Sequence, residues 1–83
     1  MKARLIHNPT AGPRDVQRGL KRVRSFLKRQ GWSVEYQLTV KRGDTSRLSR
    51  AAAHEGYDVV IVAGGDGTIN EAVNGLVGTR TAL

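Results

Sequence analysis

The run Gly64-Gly65-Asp66-Gly67-Thr68-Ile69-Asn70-Glu71 places three glycines and an acid directly after five apolar residues, Val59 to Ala63, and directly before a helical pattern. Glycines at such a junction permit positive φ and let backbone N–H groups approach an anion with no Cβ in the way. The helix that follows offers unpaired N–H groups and its positive pole. Phosphate binding is the chemistry this arrangement serves, and a tight strand-to-helix turn without a ligand is the alternative. Asp66 favours the ligand: a carboxylate amid phosphates repels them unless a cation or water intervenes, so its presence indicates an indirect link to Mg²⁺. Thr68 and Glu71 fit a capping box, and Ile69, Ala72, Val73 and Leu76 fall on one helical stripe expected to face the core.

Two familiar phosphate loops are excluded. No Gly-x-x-x-x-Gly-Lys-Ser/Thr occurs, and Asn70 stands where the dinucleotide fingerprint has its third glycine.

The elements that must position this loop are legible from pattern. Trp32 to Leu38 alternates as a strand with one covered face, whereas Asp58 to Ala63 is apolar enough for a strand covered on both. Ala3 to His7 forms a shorter strand stopped by Asn8-Pro9. Between the strands lie two helices. The first carries Val16, Leu20, Val23 and Leu27 on one stripe with Phe26 beside it, and ends at Gly31. The second starts in Asp44-Thr45-Ser46 and runs through Leu48, Ala51 and Ala52 to Gly56. A third helix follows Gly67. Strict strand–helix alternation implies parallel pairing through right-handed crossovers, hence a three-layer α/β fold with a mostly parallel, doubly wound sheet, strand order 2-1-3 and helices on both faces. Thr81-Ala82-Leu83 reads as the start of a fourth strand. The sheet edge open there invites association with a second copy, so a homo-oligomer is expected.

The 83 residues suffice for one small domain. With no cysteine the chain has no disulfide or thiolate metal site, which suits a reducing cytoplasm. The apolar run Val59 to Ala63 is far too short for a bilayer span. His7 and His54 lie far apart with no cluster of ligands beside them, and Ser25, Ser33, Ser46 and Ser49 sit in structural positions, so neither a metal centre nor a nucleophilic triad is expected. Lys and Arg number 14 against 7 acids, a net charge of +7, and half of the basic residues fall between Arg14 and Arg29. That cluster is a solvated face or an attraction to an anionic membrane surface. A nucleic-acid-binding module is the reading from another class. It is disfavoured because Trp32 and Tyr36 fall on the apolar face of a strand, leaving few stacking platforms.

The loop from Gly64 to Glu71 resembles the GGDGT signature shared by diacylglycerol-type lipid kinases, sphingosine kinases, NAD kinases and phosphofructokinases. Asn8-Pro9-Thr10-Ala11-Gly12 and Asn70-Glu71-Ala72-Val73-Asn74-Gly75-Leu76 narrow the resemblance to the diacylglycerol kinase catalytic-domain family, with an NAD kinase-like chain as runner-up. The resemblance implies ATP and Mg²⁺ as ligands and transfer of the γ-phosphate to a lipid hydroxyl. It assigns Asn8, Pro9, Thr10, Ala11 and Gly12 to closing over the nucleotide, Thr39 to hydrogen-bonding it, and Gly64, Gly65, Asp66, Gly67, Thr68, Ile69, Asn70 and Glu71 to the phosphates. Thr45 departs from the pattern, which more often has Ala there. The resemblance also implies a second, β-rich domain bearing the lipid site and catalytic base. No catalytic residue is therefore expected among these residues, which alone are expected to bind nucleotide without transferring phosphate.

Overall fold

The structure is a computed structural model and describes residues 1–9 and 16–83. Three strands, β1 (Lys2–His7), β2 (Ser33–Leu38) and β3 (Val59–Ala63), alternate with three helices, α1 (Val16–Arg29), α2 (Asp44–His54) and α3 (Asp66–Leu76). The strands form one parallel sheet in the order β2-β1-β3. Ala82 adds a short parallel bridge to Val59 on the outer side of β3, where the fourth strand was expected.

Both faces of the sheet are covered. Leu5 and Ile6 are consecutive in β1 and so point to opposite faces, yet both are fully buried. Ile6 joins Leu48, Ala52, Tyr57, Val60 and Leu76 in a core beneath α2 and α3. On the other face, Arg24 of α1 lies 4.6 Å over the ring of Tyr36, whose hydroxyl pairs with Nδ1 of His7 at 2.7 Å. Each fully buried aliphatic side chain contributes about 1.5–3 kcal/mol.

The most buried strand is β1 and not β3, contrary to the expectation from apolar content. A strand between two neighbours has both edges and both faces occupied, and β1 is buried from Ala3 to His7. In β3, at the edge, only Val60 is fully buried. A second correction concerns α3. Its inward side carries Thr68, Ala72, Gly75 and Leu76, while Ile69 and Val73 from the expected core stripe are exposed. The small residues face inward because α3 presses against α2: a Cβ on Gly75 would stand 2.5 Å from the carbonyl oxygen of Ser46. Along α1, Leu20 and Leu27 turn inward, but Val23 and Phe26 face solvent. Trp32 precedes β2, and Trp32 and Tyr36 are half-buried rather than core.

Candidate nucleotide site at the carboxyl edge of the sheet

The loops after β1, β2 and β3 meet at the carboxyl ends of the three parallel strands, where α/β sheets gather ligands. The ladder of β1 runs on into them: the Asn8 amide donates to Ala63 and the Thr39 amide to His7, each at 2.9 Å. Asn8 and Thr39 are thereby fixed one strand apart.

The glycine loop is shaped by Thr68. A Cβ on Gly64 would lie 2.6 Å from Thr68 Oγ1 and 2.8 Å from Thr68 Cβ, so only glycine lets the threonine fold back against the chain. Thr68 is buried, and its Oγ1 accepts a hydrogen bond from Asn8 Nδ2 at 3.2 Å. With the threonine seated there, α3 begins at Asp66 with extended Gly65 as its N-cap, earlier than the capping box implied. Thr68 therefore lies inside the first turn rather than capping it. Positive φ is also not what the glycines supply, since Gly31, Gly43, Gly56 and Gly78 adopt it and Gly64, Gly65 and Gly67 do not. Gly67 contributes space: a Cβ there would meet no atom within 4 Å. The first-turn amides of α3, which have no acceptor within the helix, border that opening.

The wall opposite is the loop from Thr39 to Gly43. Asp44 shapes it: its carboxylate accepts the amides of Val40 at 2.8 Å and Lys41 at 3.0 Å, and Arg47 at 3.2 Å. These amides, with Arg47 nearby, hold the Asp44 carboxyl below the usual carboxylate range. Gly43, with φ +90°, turns the chain into α2, and its amide donates to Glu71 Oε1 at 3.1 Å. Glu71 thus reaches the other wall and does not return to Thr68.

The cleft so enclosed has a volume of about 380 Å³ and is lined by Asn8, Thr39, Val40, Lys41, Arg42, Thr45, Gly65, Gly67, Thr68 and Glu71. Six of the residues named from sequence meet in it: Asn8, Thr39, Gly65, Gly67, Thr68 and Glu71. Pro9, Gly64, Asp66, Ile69 and Asn70 do not line it, and Thr10, Ala11 and Gly12 lie outside the described residues. Val40, Lys41, Arg42 and Thr45 were missed. Their signal was topological, since the loop between β2 and α2, which holds the first three, and the first turn of α2, which holds Thr45, must stand beside the end of β1. The residues present fit a polyphosphate, with an open glycine, unpaired first-turn amides and two cations bordering one cleft. Asp66 is an exposed single carboxylate on the first turn of α3, and among the described residues no group of three His, Cys, Asp or Glu gathers for a metal ion. Asp66 therefore belongs to no protein cage for a metal ion among the described residues, and a contact through water is the one open to it.

A sequence profile of the diacylglycerol kinase catalytic domain matches residues 2–83. The chain belongs to that family. Membership separates it from the NAD kinases that share the glycine signature. A diacylglycerol kinase of Staphylococcus aureus is 44% identical over 75 residues, covering 90% of this chain and 24% of the relative. Crystal structures of diacylglycerol kinases from Bacillus anthracis superpose with TM-scores of 0.80 and 0.74 at 32% and 31% identity. They cover 96% of this chain and 30% and 28% of theirs. The chain therefore spans about a quarter of the length of the curated diacylglycerol kinase it matches.

Proposed function

We propose that this chain is the ATP-binding portion of a cytoplasmic lipid kinase that transfers the γ-phosphate of ATP to a lipid hydroxyl such as that of diacylglycerol. The observation that carries this reading is the open side of Gly67, which borders the first-turn amides of α3 in a cleft walled by Thr39 and Lys41. The first-turn amides, including that of Gly67, receive phosphate oxygens, as donors at a helix N-terminus do. Lys41 and Arg42 offset phosphate charge from the opposite wall, and Asn8 and Thr39 hydrogen-bond the nucleotide, with Pro9 to Gly12 closing over it. Bound Mg²⁺ would neutralise charge on the triphosphate, and Asp66 on the first turn of α3 is the carboxylate that would hold it through water.

Positioning and electrostatics are what these residues offer, which is most of what phosphoryl transfer asks of a protein. Glu71 is the carboxylate in the cleft, and its Oε1 is engaged by Gly43. A base for the lipid hydroxyl is therefore assigned to the part of the kinase beyond these residues, and the chain alone binds nucleotide without transferring phosphate.

Titration calorimetry with ATP and Mg²⁺ tests the site. Gly67→Val is expected to weaken binding by more than about tenfold, because a branched side chain fills the space the phosphates occupy. Asp66→Ala is expected to weaken binding with Mg²⁺ more than binding without it. Equal affinities for the parent and both variants would remove the basis of the reading.

A further inference from the structure

We infer that the Thr45 hydroxyl donates a hydrogen bond to a phosphate oxygen of the bound nucleotide, so that the start of α2 grips the polyphosphate from the wall opposite α3. The inference deepens the reading of the cleft as a nucleotide site and rests on it.

Thr45 lies in the first turn of α2 and is only 3% exposed, yet it lines the cleft. Its hydroxyl has no hydrogen-bond partner among the described residues. A helical threonine ordinarily satisfies its hydroxyl on a carbonyl three or four residues back, and one at a helix start caps the amides there. Thr45 does neither. The N-cap of α2 is Gly43, with no side-chain cap, and the Lys41 carbonyl four residues back accepts the Asp44 amide at 3.2 Å. Nor is the Thr45 oxygen sealed inside the protein. Among the described residues, the side-chain atoms both enclosed and unpartnered are Arg4 Nε, Arg24 Nε and Ser49 Oγ, the last of them one turn further along the same helix. Thr45 Oγ1 is thus unpartnered but open, in a residue that borders the cleft. An unbonded hydroxyl in so enclosed a place is unfavourable, and valine has nearly the same shape without that cost; a ligand entering the cleft supplies the missing acceptor.

The surroundings choose that acceptor. Lys41 and Arg42 line the same cleft, and the ion pairs among the described residues belong to Arg4 and Arg47. The Thr45 amide is one of the first-turn amides without an acceptor in α2, at the positive pole of that helix. The two carboxylates nearby are committed, Asp44 to the Val40 and Lys41 amides and Glu71 to the Gly43 amide. A donor in so positive a setting favours a charged oxygen over a neutral ribose hydroxyl. Because the family more often has Ala here, the contact belongs to this chain and not to the glycine signature it shares.

The test is titration calorimetry of this chain with ATP and with inorganic tripolyphosphate, at one Mg²⁺ concentration. T45V should weaken both ligands by the same factor, about tenfold, as loss of a hydrogen bond to a charged group does. T45S, which keeps the hydroxyl, should bind like the parent. In urea without ligand T45V should be at least as stable as the parent, an outcome that a purely structural hydroxyl would reverse. T45A repeats the test should T45V fail to fold. A loss for ATP alone, or ATP binding with no binding of tripolyphosphate, would put the hydroxyl on the nucleoside and overturn the inference. Unchanged affinities in T45V, with G67V still blocking ATP, would overturn it and leave the nucleotide reading standing. A parent chain that binds neither ligand would sink both.

Discussion

The carboxylate of Glu71 in α3 accepts the backbone amide of Gly43, the N-cap of α2, at 3.1 Å. In a capping box an acid three residues into a helix returns to the N-cap amide of its own helix. Here the acid comes from the neighbouring helix, and the same bond joins the two walls of the cleft. Glu71→Ala is expected to cost about 0.5–1.5 kcal/mol of stability and to weaken nucleotide binding. Glu71→Gln, which keeps an acceptor, is expected to lose less of both. Urea unfolding and calorimetry on the two variants check the order; equal losses would show that the bond does not hold the walls.

Gly67 and Gly19 are both helical glycines with open space where a Cβ would stand. Replacing either by Ala should stabilise the fold by about 0.5–1 kcal/mol through helix propensity. Only Gly67→Ala should weaken nucleotide binding, because only there does the added methyl enter the cleft. Thermal melts with and without nucleotide separate the two effects. A nucleotide-induced shift as large in Gly67→Ala as in Gly19→Ala would count against phosphate contact at residue 67.

Two groups make stability depend on acid, in separate windows. His7 is buried and its pKa is lowered by that burial, so the folded state holds fewer protons than the unfolded one. The stability it preserves is present above its ordinary value of 6.5 and is lost as pH falls through the folded value. Asp44, held low by the Val40 and Lys41 amides, behaves likewise below its ordinary 3.8. His7→Gln should flatten the first decline and Asp44→Asn the second, as read from urea midpoints across pH. Parallel curves for parent and variants would refute the assignment.

The outer side of β3 is bridged by Ala82 at Val59, with the amide of Val60 donating to Ala82 at 2.8 Å. Beyond that bridge β3 is an edge strand, and unpaired edges associate. This chain is expected to form dimers or larger species as concentration rises. Light scattering across a concentration series checks it, and lysine at Ile61, half-buried in β3, should reduce the association. A constant monomeric mass would show the edge to be protected.

The sequence by itself determined the alternation of elements, the parallel order 2-1-3 and the strand-to-helix position of the glycine loop. All of these follow from local periodicity and chain connectivity. The glycine loop between strand and helix marked Gly65, Gly67, Thr68 and Glu71, and the resemblance to the diacylglycerol kinase family marked Asn8 and Thr39. Only the tertiary structure decided how deeply each strand is buried, since burial depends on neighbours and not on how apolar a segment is. It decided likewise that Gly75 rather than Ile69 and Val73 meets α2, that Thr68 packs on Gly64, and that Glu71 caps a helix not its own. Such pairings join residues far apart in sequence, and no local pattern encodes a distance of closest approach. Lys41 and Arg42 belong to the same class: the sequence supplied two cations, and the folding of one loop around Asp44 turned them toward the cleft.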